Sequence, residues 1–258
     1  MSDAGPYRAR LHAVGRAIAV ALGVGLGALG VGLALVVAVA LGARTAGLAP
    51  SPAVLLVVSL VLLQGLTFGG VALAYLRVRG RSVASVGLRV PTARDLVIAV
   101  AGYVLALGAA FGGALAVSLA GVEPARNAAA EIAVRRPSVL LLLVPASFLL
   151  IGPGEELLFR GVVQGRLREA LSAPAAVGLA SAVFAGVHFL ALTGSSGARL
   201  VAIAVLFGPA LVFGTAYELT DNLVVPALIH GAYNATLFTL LYVSLRFAGG
   251  PTGGPPGV

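Results

Sequence analysis

The chain has no cysteine. That excludes disulfides, a thiolate nucleophile and thiolate metal ligands. It has no lysine: all 17 basic residues are arginine, which with abundant Ala, Gly and Val reads as genome composition rather than function. Charge of either sign is scarce. Only 10% of the 258 residues are charged, against roughly 25% in soluble domains. This excludes an ordinary soluble domain. With 59% hydrophobic residues and a mean hydropathy of +1.05, the chain reads as an integral membrane protein. The net charge of +8 would suggest nucleic acid in a soluble protein. Here membrane topology explains it better, and no nucleic-acid partner is expected.

A spanning helix needs about 20 apolar residues. The hydrophobic runs give an all-α polytopic bundle of about seven spans: Ala17–Ala43, Ala53–Leu76, Leu96–Ala120, Val139–Leu171, Ala175–Leu192, Leu200–Leu219 and Leu223–Phe247. Arg8, Arg10 and Arg16 ahead of the first run superficially resemble a signal peptide. At 27 residues (17–43) that run is too long for a signal h-region, so it reads as an uncleaved span. The Gly/Pro-rich tail, 249–258, reads as disordered. With the N-terminus inside, strict alternation places ten arginines in the cytoplasm (8, 10, 16, 77, 79, 81, 89, 94, 166, 168) and six outside (44, 126, 135, 136, 199, 246). This positive-inside bias favours a multi-pass cell-membrane protein with a cytoplasmic N-terminus.

The fourth run carries Gly154-Glu-Glu-Leu-Leu-Phe-Arg-Gly161 after the uncharged stretch Val139–Ile151. Two of the nine acidic residues thus lie side by side in apolar sequence, where a carboxylate costs several kcal/mol unless paired, solvated or protonated. Val139–Leu171 is too long for one crossing, and Gly152-Pro153-Gly154 predicts a break, with Glu155 and Glu156 opening the second segment at a helix N-terminus. Glu156 and Arg160 stand i,i+4 in the favourable order for an ion pair. Glu155 points about 100° away and stays free. The bland alternative is that both glutamates cap a helix at the interface.

His188 sits in Phe184-Ala-Gly-Val-His188 on the fifth run, and His230 and Asn234 stand i,i+4 on the last. Alone, His188 reads equally as a packing residue and the His/Asn pair as an interhelical hydrogen bond. Jointly, three segments each carry polar groups that a membrane penalises, and the groups are chemically complementary. Convergence of Glu155, His188, His230 and Asn234 on one cavity is therefore expected. Depths estimated at about 1.5 Å per residue differ by roughly 10–15 Å between Glu155 and His188, a gap that the predicted hinge would have to close.

Glu-Glu-x-x-x-Arg, Phe-x-x-x-His and His-x-x-x-Asn, in this order, resemble the motifs of the CAAX protease and bacteriocin-processing (CPBP) family of intramembrane proteases. The resemblance covers about Val139–Leu245 and includes Gly214–Asn222. It implies a membrane core over 96–248, with residues 1–95 contributing additional spans and a basic loop. It also implies roles: Glu155 as the general base that activates water, His188 assisting, and Glu156 and Arg160 supporting them. His230 and Asn234 would steady the oxyanion. Family members are often named metalloproteases, and Glu155, His188 and His230 form a ligand set suited to zinc with an open water position. The implied partners are the bilayer and a membrane-associated or lipidated peptide or protein; CAAX-type members cut after a prenylated cysteine.

Other signals carry less. Gly25-Leu-Gly-Ala-Leu-Gly30 fits a dinucleotide fingerprint but has no preceding strand. Gly194-Ser-Ser-Gly197 resembles a rhomboid motif but reads as a turn. There is no His-Glu-x-x-His. A peptide-binding scaffold or immunity protein and a proton-relaying transporter are the rival functions. The intact polar set disfavours the scaffold, and the absence of a helix-pair repeat disfavours the transporter.

Overall fold

The computed structural model describes residues 4–123 and 125–247, so the predicted tail at 249–258 lies outside the described residues. The molecule is 85% helical, and among the described residues one ribbon pairs Arg126–Asn127 antiparallel with Leu192–Thr193. The helices are α1 (Ala4–Thr45), α2 (Pro52–Val78), α3 (Ala93–Leu119), α4 (Ala128–Arg135), α5 (Ser138–Arg168), α6 (Ala173–Ala191), α7 (Ser196–Thr220) and α8 (Val224–Phe247). All but α4 are long and apolar enough to cross a membrane, as expected for a multi-pass protein. α4 is a short amphipathic helix between the third and fourth of the expected spans. It inserts the fully buried Ala133 beside Val139, Leu140 and Leu143 of α5.

The expected break in the fourth span does not occur. Gly152–Glu156 is α-helical, flanked by π-helical turns at Ser147–Ile151 and Leu157–Gln164, and the helix runs unbroken to Arg168. The Gly152 N–H donates to the Ser147 carbonyl five residues back. This wider register just ahead of Pro153 gives its ring room and absorbs the missing donor. Glu155 and Glu156 therefore sit inside a continuous helix and do not open one.

The glycines flanking Pro153 set helix approach instead. A Cβ on Gly152 would stand 2.8 Å from the Ala227 carbonyl of α8, and one on Gly231 would stand 3.1 Å from the Ser147 carbonyl of α5. A Cβ on Gly154 would collide with the Gln64 carbonyl, in the π-helical part of α2. Helices in lipid associate mainly through such close packing. α2, α5 and α8 are thus drawn together at the level of the glutamates. Gly154→Ala is expected to cost about 1–3 kcal/mol, because rigid backbone rather than a flexible side chain occupies the space. Thermal unfolding of purified protein measures it, and an unchanged midpoint would refute the close approach.

One apolar core joins α1, α2, α5, α6 and α7 through residues such as Ala28, Phe68, Phe159, Phe184 and Ala210. A second, around Phe213 and Ile229, joins α3, α7 and α8. At the end of the bundle where α3 begins, Thr92 and Asp95 form a reciprocal capping box. Asp95 also accepts hydrogen bonds from Arg89 at 2.8 Å and Asn222 at 3.3 Å, which pins the α2–α3 loop to the α7–α8 turn.

Candidate functional site

α5 contributes Glu155, Glu156 and Arg160, which are 2%, 0% and 0% exposed. The ion pair anticipated from the i,i+4 spacing forms, with Arg160 Nε donating to Glu156 Oε2 at 3.0 Å. The other Glu156 oxygen accepts from His230 Nδ1 of α8 at 2.8 Å. Glu156 therefore ties Arg160 of its own helix to His230 of α8. Two further interactions hold the guanidinium, while its Nη2 makes no hydrogen bond among the described residues. Nη1 donates to Ser181 Oγ of α6 at 3.3 Å, and the group lies 5.2 Å from the Phe184 ring centroid. Ser181 in turn donates to the Ala210 carbonyl of α7 at 3.0 Å. Gly214 makes the room: a Cβ there would lie 2.9 Å from Gln164 Oε1 and 3.2 Å from Arg160 Nη1.

Both imidazoles are held by their Nδ1 atoms. His188, where α6 tightens into a 3₁₀ turn, bonds the Phe184 carbonyl through Nδ1 at 2.8 Å. A carbonyl only accepts, so His188 Nδ1 carries the proton. Glu156, paired with Arg160, is a carboxylate, which assigns the Nδ1 proton of His230 in the same way. His230 is also clamped by aromatic rings, stacked on Phe213 at 4.8 Å and edge-on to Phe184 at 5.6 Å. The two Nε2 atoms then face Glu155 Oε2 at 4.0 Å (His188) and 3.8 Å (His230). These separations are too long for direct hydrogen bonds and are of a size that one water spans. Glu155 Oε2 is buried and makes no hydrogen bond among the described residues.

Glu155, His188 and His230 thus meet without a hinge in α5. The depth mismatch disappears because the spans need not start level, as the estimate assumed. Asn234 does not join them by a hydrogen bond. It is half-buried one helical turn beyond His230 and makes no side-chain hydrogen bond among the described residues. By type, Glu155 Oε2 and the two Nε2 lone pairs are a metal donor set, each imidazole being fixed through its other nitrogen. By position they do not close on an ion. Among the described residues no group of three His, Cys, Asp or Glu is placed to hold a metal.

Sequence reading missed Ser181, Gln164, Phe213 and Gln64. Gln164 donates to the Gly214 carbonyl and to Glu218 at 3.1 and 3.0 Å. Gln64 carries a buried Oε1 with no hydrogen-bond partner among the described residues. The polar residues stood in apolar runs, so the penalty that exposed Glu155 could have found them too. Nothing in the pattern marks Phe213.

Fold and site together define a multi-pass membrane protein with a buried carboxylate–imidazole cluster at the meeting of α5, α6 and α8. Residues 137–236 match the family model of the Rce1-like type II CAAX prenyl endopeptidases. That stretch, which holds every residue from Glu155 to Asn234, is similar to the family, as the three motifs indicated. No curated protein and no solved structure matches the chain.

Proposed function

We propose that the protein is an intramembrane endopeptidase that hydrolyses a peptide bond of a membrane-associated protein or peptide. The observation that carries this reading is the buried, unpartnered Glu155 oxygen facing two imidazole Nε2 lone pairs at 3.8 and 4.0 Å. A water between them is oriented by His188 and gives its proton to Glu155 as its oxygen attacks the scissile carbonyl. Glu155 then passes that proton to the leaving amine. His230 Nε2 faces the same space, and a proton supplied to it from solvent before attack would be donated as a hydrogen bond towards the developing oxyanion. The Asn234 amide, one turn further on, supplies a second donor. Glu156 and Arg160 keep the His230 ring in place.

A zinc-assisted form is the second reading, favoured because all three converging atoms are acceptors. Glu155, His188 and His230 would have to draw closer than their present 3.8 and 4.0 Å spacing to hold the ion, which would supply Lewis-acid polarisation of water and carbonyl. The family's description makes prenylated C-terminal peptides the first substrates to try.

The test is proteolysis of a peptide library, prenylated members included, by purified protein and by the Glu155→Ala variant. Cleavage is expected from the first alone. Specific peptide binding without cleavage would favour a scaffold, and proton-coupled flux in liposomes a transporter. If zinc is catalytic, chelation should abolish activity and added zinc restore it. Metal content should also fall in His188→Ala and His230→Ala. Full activity in metal-free protein would refute the zinc form and leave Glu155 and the histidines to act on water directly.

A further inference from the structure

A second candidate site lies at the far end of α5. Ser138 and Glu155 are separated by 17 residues (155 − 138) of continuous helix, about 25 Å. There, between α4 and the start of α2, is a cavity of about 750 Å³ lined by Arg126, Glu131, Arg135 and Arg136 alongside Pro52 and Ile132. Its volume is in the range of small-ligand sites.

Its charge is unbalanced. Three guanidiniums face one carboxylate, and Glu131 already accepts the Thr193 hydroxyl at 2.8 Å. Arg126, Arg135 and Arg136 make no ion pair among the described residues, in common with arginines such as Arg44, Arg77 and Arg94; what sets these three apart is that they line one cavity. The cavity's position defines its surroundings. α2 and α5 begin here, at Pro52 and Ser138, so this is where the apolar spans end. α4 anchors its buried Ala133 in the bundle and carries Arg135 in its last turn, the arrangement of a helix lying in the membrane interface. Arginine forks suit phosphate oxygens, and the adjoining Pro52 and Ile132 suit an attached hydrocarbon.

We propose that this cavity binds a phosphate group at the membrane surface, supplied by the headgroup of an anionic lipid. The site is independent of the proposed hydrolysis and uses none of its residues.

The test uses the full chain, purified in neutral detergent and titrated separately with phosphatidylglycerol, phosphatidylcholine and inorganic phosphate. Bound species are counted by native mass spectrometry. Phosphatidylglycerol should be retained, with affinity falling about fivefold for each of Arg126→Gln, Arg135→Gln and Arg136→Gln. Arg8→Gln, near the opposite end of the bundle, should leave it unchanged. Unfolding midpoints without lipid check that each variant is folded, and the single variants decide if the triple variant does not fold. Equal retention by wild type and folded variants would overturn the site. Inorganic phosphate displacing the lipid at equal concentration would overturn the lipid source and assign a free anion.

Discussion

Glu155→Gln is expected to lower peptide cleavage by about 10²–10⁴-fold, the contribution typical of a positioned general base, while unfolding stays close to wild type. The two effects separate because of what each Glu155 atom touches. Oε2 has no hydrogen-bond partner among the described residues, so replacing it with an amide of the same shape breaks no native hydrogen bond. It also removes a charge from a site only 2% exposed. The only expected loss is the proton acceptor. Initial rates on one cleavable peptide and thermal unfolding of the same preparations provide the check. A variant that unfolds several degrees lower, or one that still cleaves at the wild-type rate, would end the assignment of Glu155 as the base.

Glu156 should behave in the opposite way. Its two oxygens satisfy Arg160 and His230 at once, and both it and Arg160 are 0% exposed. Removing one partner of such a pair leaves a buried charge uncompensated and typically costs about 3–5 kcal/mol. Glu156→Leu and Arg160→Met should therefore each destabilise the fold, and lose activity with it. The double variant Glu156→Leu/Arg160→Met removes both charges, so it should be less unstable than the two losses added together, by the coupling seen between groups in contact. Its activity should not return, because His230 loses the acceptor that fixes its Nδ1 proton and ring. Additive losses would deny the coupling. Recovered cleavage in the double variant would show that Glu156 serves folding alone and does not position His230.

The fold class was legible because composition leaves little choice. Few charges and long apolar runs impose spanning helices, and backbone groups in lipid must be satisfied within each segment. The i,i+4 arithmetic likewise predicts the Glu156–Arg160 pair, since one helix turn alone decides it. Local rules failed at Gly152-Pro153-Gly154, where composition implied a break. Whether a proline breaks a helix depends on neighbours that can take up the register change. Here the π turns do so, and the glycines serve to bring the backbones of α2, α5 and α8 close together.

The sequence by itself determined which polar groups had to be accounted for: a carboxylate pair, an arginine, two imidazoles and an amide, each costly in hydrocarbon. Only tertiary structure decided how they are satisfied. Glu156 takes both Arg160 and His230, Ser181 and Phe184 hold the guanidinium, and Phe213 clamps one imidazole. Glu155 is left facing two nitrogens at water-spanning distance. Spacing along a helix fixes which side chains share a face, but contact between helices depends on how closely their backbones approach, and that is set by glycines and packing distributed over the whole bundle.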